Sequence, residues 1–171
     1  MWSINQILLN DFQDIVNPIH FELYPILENE APIITNTKYY LRFKHDLHTL
    51  TESEGDDFKN KIQRRIDRFK HNMNNNNKIL FIRQQESQTN RIPYYKNLRS
   101  EEEELENFID IVHMKYKCKE VTVIYINLES DGWNDKRTIL SVKVDTLDYD
   151  WTTSHTTIKK LFEDKNITRL L

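Results

Sequence analysis

Between residues 58 and 73 the apolar residues Phe58, Ile62, Ile66, Phe69 and Met73 recur at steps of four, four, three and four. That period puts them on one face of an α-helix. What flanks this helix constrains the fold most. Before it, "KYYLRFKH" at 38–45 alternates Tyr39, Leu41 and Phe43 against Tyr40, Arg42 and Lys44. Such period-two alternation reads as a strand with one buried face. After it, "KILFIR" at 78–83 is a short apolar run of the buried-strand type. A strand, an amphipathic helix and a strand in succession predict α/β organisation.

The remaining chain extends the pattern. "SINQILLNDFQDIV" at 3–16 carries Ile4, Ile7, Leu8, Phe12, Ile15 and Val16 at helical spacing, with Ser3 as cap and Pro18 as stop. Residues 18–37 hold three of the four prolines and read as an irregular connection. "TESEGDD" reads as a polar loop, "NMNNNN" as a low-complexity helix exit, and 84–99, with Pro93, as a loop. Ser100 with Glu103 forms a capping box, and Leu105, Phe108, Ile109, Val112 and Tyr116 give the helix after it a buried face. "EVTVIYINL" at 120–128 is the strongest strand. "DGWNDK" makes a turn, and "RTILSVKV" at 137–144 is a strand with Leu140, Val142 and Val144 on one side. A last helix covers about 155–164, with Ile158, Leu161 and Phe162 apolar.

The expected fold is one α/β domain over residues 1–171. It is a Rossmann-like sandwich: a mostly parallel sheet of about four strands flanked by helices, the last strand antiparallel at an edge. The strands at 38–45 and 78–83 would then run parallel in one sheet, their C-terminal ends on a common edge. Phe58, Ile62, Ile66, Phe69, Leu80, Ile82, Val123 and Ile124 or Tyr125 are the expected core.

Composition removes several function classes. Only two glycines occur, Gly55 and Gly132. A phosphate-cradling loop needs several, so neither a P-loop nor a dinucleotide fingerprint can be written, and no cofactor is expected. The net charge of -3 supplies no global basic field for nucleic acid or an acidic membrane. The single cysteine, Cys118, excludes an internal disulfide and a CxxC zinc site. The six histidines show neither HxH nor HExxH spacing, so no metal is expected. The N-terminus has no signal-peptide pattern, and no window of about 18 apolar residues could span a membrane. A reducing cytoplasmic setting is the expectation, host cytoplasm for a viral source.

The chemistry-bearing candidates lie near strand ends. His45 and Asp46 follow the strand at 38–45, where α/β sheets place ligand sites. Arg64, Arg65 and Arg68 can share one helix surface and grip a phosphate or carboxylate. Their bland reading is a solvated charged face. Arg83 closes the strand at 78–83. Cys118 lies between Lys117 and Lys119, which would lower its pKa. Its bland reading is a half-buried spectator thiol.

Taken in order, "YYLRFKHDL", "KIQRRIDRF" and "KILFIRQQ" resemble a papain-like cysteine peptidase family, a domain of unknown function from bacteria and large DNA viruses. "DYDWTTSHTTIKKLFEDKNI" also fits. That family's pattern opens on a Gly-x-x-Cys segment with the presumed nucleophile and then a Phe-Asp-Trp. Trp2 would be the remnant of that Trp, and no Gly-x-x-Cys occurs in these residues. The resemblance implies that His45 is the catalytic histidine and Asp46 its acidic partner. It also implies that peptidase chemistry lacks its attacking thiolate here. The expected function is therefore a truncated or catalytically inactive family member that keeps an ancestral ligand surface of His45, Asp46, Arg64, Arg65, Arg68 and Arg83. Two alternatives stand beside it. One is a transferase-like enzyme for an anionic small molecule, a phosphate or nucleotide-sugar. The other is a protein interaction module using the 84–99 loop and the tryptophans.

Overall fold

The computed structural model describes residues 1–24, 33–43, 52–85, 100–146, 151–164 and 167. The chain divides into two compact units. One holds Met1–Phe81 and Ile92–Val123, the other Ile82–Arg91 and Ile124–Leu171.

In the first unit, helix α1 spans Trp2–Leu9 and ends well before Pro18. The Asn10 side-chain amide donates to the Gln6 carbonyl (2.8 Å). Asp11, Phe12 and Asp14 then take left-handed φ angles of 50°, 65° and 62°. Such angles strain residues other than glycine and need outside support. Asn36 donates to the Asp14 carbonyl (2.8 Å) and the Tyr39 hydroxyl to the Gln13 carbonyl (2.6 Å). The apolar residues of the expected longer helix still reach the core. Phe12, Ile15 and Val16 pack on a cluster of Ile34, Phe43, Phe58, Ile62 and Ile66.

Residues 18–37 are not irregular throughout. They contain strands β1 (Phe21–Tyr24) and β2 (Ile33–Asn36). In sequence, Pro18 and Pro25 flank β1 and Pro32 precedes β2. With β3 (Leu41–Phe43) they form an antiparallel sheet in the order β1-β2-β3, with Phe21 opposite Asn36 and Ile34 opposite Phe43. The expected strand at 38–45 is thus shorter. Residues 37–40 turn, with Tyr40 at φ 53° and the Asn36 side-chain oxygen accepting the Tyr39 amide (3.0 Å). The inside-outside alternation survives, since Tyr39 and Phe43 are buried and Arg42 is exposed.

Helix α2 runs over Glu52–Asn75 and takes in most of the stretch expected as a polar loop. Acidic residues suit the positive end of a helix dipole, which favours that extension. At its other end Asn75 donates to the His71 carbonyl (2.7 Å) and Asn76 to the Asn72 carbonyl (2.9 Å). The asparagine run therefore satisfies the terminal carbonyls of the helix. Helix α3 (Glu101–Lys115) starts on the expected capping box: the Ser100 hydroxyl accepts the Glu103 amide (3.1 Å), and the Glu103 carboxylate accepts the Ser100 amide (2.8 Å).

A four-stranded sheet has the order β4 (Lys78–Gln84), β5 (Glu120–Asn127), β7 (Ile139–Lys143), β6 (Gly132–Trp133). The Glu120 amide bonds the Asn77 carbonyl and the Gln85 amide bonds the Ile126 carbonyl, both at 2.8 Å. Like ends therefore meet, so β4 and β5 run the same way with α3 as their crossover. The Val144 amide bonds the Asn127 carbonyl (2.8 Å), which brings the C-terminal ends of β5 and β7 together. Only β6 opposes them, pairing antiparallel with β7. The sheet is mixed, but two expectations change. The segment at 137–144 is not at an edge, because β6 from the expected turn holds that place. And β3 lies in the other sheet, so it shares no parallel sheet with β4.

The core of the second unit gathers Ile124, Ile126, Leu140, Val142 and Ile167. Ile158, Leu161 and Phe162 of helix α4 (Trp151–Asp164) pack against them. Leu80 and Ile82, expected in the core, are 41% and 47% exposed. They lie on an end strand of the sheet, while Phe81 points to the other face and meets Phe108 edge-on at 4.9 Å. Among the described residues, no helix is long and apolar enough to cross a membrane.

Candidate functional site

An α-helix turns by about 100° per residue, so Lys61, Arg64, Arg65 and Arg68 fall within an arc of roughly 100° on α2, beside the buried stripe. Arg64, Arg65 and Arg68 are exposed. With Lys61 and Asp67 they line one depression of about 600 Å³. An adjoining depression of similar size is lined by Asp57, Asn60, Lys61, Gln63 and Arg64. The Asp67 carboxylate accepts a hydrogen bond from the Gln63 amide (2.8 Å). Four cations and one carboxylate can hold an anion by charge-assisted hydrogen bonds.

The other candidates are each placed separately. His45 and Asp46 lie between β3 and α2 in sequence, outside the described residues. Arg83 is half-buried on the face of β4 that also carries Phe81 and Gln85, and it belongs to the second unit. The common sheet edge expected to unite His45, Asp46 and Arg83 does not form, because β3 and β4 are in different sheets.

At the C-terminal end of β4 and β5 the second unit has polar residues that sequence reasoning passed over. Gln85 is 7% exposed; its side-chain oxygen accepts the Leu128 amide (3.0 Å) and its nitrogen donates to Glu129 (3.1 Å). Asn127 is 1% exposed and accepts the amides of Glu129 and Ser130, each at 2.7 Å. Two buried amides thus fix the 127–130 turn where parallel strands present ligand contacts. The available signal was a polar residue closing each apolar run, in "FIRQQ" and "IYINL".

Cys118 is not half-buried but buried, at 3% exposure. Its Sγ faces the carbonyls of Glu120 (3.3 Å) and Asn77 (3.7 Å), at the N-terminal ends of the same strands. A thiol buried against backbone carbonyls is shielded from an incoming substrate, opposite to what a nucleophile needs.

Asp14 and Tyr116 are among the groups with shifted pKa values. Asp14 accepts from Asn17 (2.9 Å) and Lys38 (2.7 Å), with His20 at 3.9 Å. The Asn17 bond first and then Lys38 hold its carboxyl below the usual carboxylate range. Burial, reinforced by Asp11, pushes the Tyr116 phenol up to about 12, and its buried hydroxyl has no hydrogen-bond partner among the described residues. The Asp14 contacts brace the turn after α1, whereas the Tyr116 hydroxyl is buried at a cost. Among the described residues no group of three or more His, Cys, Asp and Glu side chains gathers to hold a metal ion.

Against known families, the model described as "putative papain-like cysteine peptidase" matches residues 3–131, three quarters of the chain. The match includes α2, β4, β5 and every candidate residue named above. No curated protein and no solved structure matches the chain.

Proposed function

Since the chain belongs to the family described as "putative papain-like cysteine peptidase", we propose that these residues form an anion-binding member that performs no thiol chemistry of its own. One observation carries the reading: Lys61, Arg64, Arg65 and Arg68 surround a single depression on α2. The state of Cys118 supports its second half, since the one thiol present is buried and bonded to backbone. Arg64, Arg65 and Arg68 bind the anion, and His45 and Asp46 precede α2 by a few residues in sequence. The scaffold is a Rossmann-like variant in which an antiparallel sheet accompanies the mixed one.

A second reading has a specific observation in its favour. The buried Gln85 and Asn127 fix the turn at the strand ends beside Arg83. A transferase-like site for an anionic donor would sit there. One experiment separates the two. Thermal shifts with added inorganic phosphate are compared in the parent, Arg64→Ala/Arg68→Ala and Arg83→Ala. The α2 reading expects the shift to vanish in the double variant and persist in Arg83→Ala. The reverse pattern transfers the site to the strand edge, and equal shifts in all three remove both.

A further inference from the structure

We infer that the α2 depression takes the phosphate of a small phosphomonoester in preference to a carboxylate, clamped between Arg64 and Arg68. The inference rests on the anion-binding reading and specifies its ligand. Arg64 and Arg68 are exposed, and both line the depression of about 600 Å³. Among the described residues, no hydrogen bond or ion pair engages either guanidinium. Lys61 and Arg65 line it too, but each has contacts of its own, so the clamp falls to the other two. Asp67, between the pair in sequence, accepts the Gln63 amide (2.8 Å). A four-residue step along the helix is a rise of about 6 Å and an offset of roughly 40° around the axis. The two forks thus stand one turn apart on nearly the same line, within reach of one ligand between them. A carboxylate has two oxygens in one plane, which a single planar fork satisfies. A phosphomonoester dianion has three acceptor oxygens in a tetrahedral array, so two forks in different planes can bind it at once. A depression of about 600 Å³ also lies within the range of small-molecule sites, roughly 300–1,000 Å³, which suits a small ester.

The test compares phenyl phosphate with benzoate, which share a ring and differ in the anion. Dissociation constants are measured by calorimetry at fixed ionic strength. At about pH 7.5 phenyl phosphate should bind about fivefold tighter, the size expected from one further exposed ion pair. At about pH 5, below the second phosphate pKa of about 6, one oxygen becomes a hydroxyl facing guanidiniums that can only donate, and the preference should shrink. Arg64→Gln and Arg68→Gln, each altering one exposed side chain, should each erase the preference while keeping the parent's circular dichroism. Equal affinities for the two probes would overturn the inference and leave the anion reading intact. No saturable binding of either probe would overturn both. A preference kept in either single variant would overturn the clamp. Tighter binding of a phosphoserine peptide than of phenyl phosphate would also overturn it, in favour of a protein ligand.

Discussion

Asp14 sits in a turn whose backbone would not hold its shape unaided. Its own φ and those of Asp11 and Phe12 are left-handed. Lys38 and Asn17 both bond its carboxylate. Because those contacts depress its pKa, they stabilise the fold at pH values above the ordinary carboxylate range, near about 4. That contribution is lost as pH falls through the depressed value. Replacing Lys38 by methionine should move the Asp14 titration, followed by carboxyl carbon NMR, upward toward the ordinary value; an unmoved titration would show that Lys38 does not hold the turn. Cys118 makes the second residue-scale prediction. A thiol exposed by 3% and facing two carbonyls should react with a papain-type thiol reagent far more slowly than a free cysteine, and at full rate only after unfolding. Fast, His45-dependent labelling of the native chain would contradict the proposed function. Neither the Asp14 turn nor the Cys118 burial was legible from sequence. The first depends on Asn36 and Tyr39, more than twenty residues away, and the second on two strand starts meeting.

At the scale of elements, α2 was the most legible part of the chain. Its apolar period survives as the buried Phe58, Ile62, Ile66 and Met73. The start was misjudged because its glutamates and aspartates resemble a loop until the helix dipole is counted. Helix α1 was overextended for the opposite reason: apolar residues at helical spacing were buried by a folded turn, which spacing alone cannot distinguish. Ile66 lies in a cluster where Phe43 and Phe58 meet edge-on at 4.8 Å. Ile66→Asp would place an unpaired charge there, costing several kcal/mol or more. The variant should lose its cooperative thermal transition. A soluble, cooperatively folding Ile66→Asp chain would refute the packing described for α2.

For the whole molecule, sequence pattern identified an α/β chain but not the allocation of its strands. Parallel β4 and β5 are joined through α3, and Leu140 and Val142 of β7 are buried as read. What local pattern could not encode was that β3 closes a hairpin with β2 while β4 begins a different sheet. A short strand's partner depends on distant residues, and β1 and β2 were hidden among prolines. The site shares this partial legibility. The α2 arginines were readable because helix geometry alone brings Arg64, Arg65 and Arg68 together. Their expected union with Arg83 relied on a sheet that does not form. The central claim is anion binding on α2, and its most direct test is an amide NMR titration of the assigned chain with inorganic phosphate. The account predicts saturable shifts centred on Lys61–Arg68, absent in Arg64→Gln/Arg68→Gln. Saturable shifts centred instead on Arg83, Gln85 and Asn127, or no saturable shifts, would contradict it.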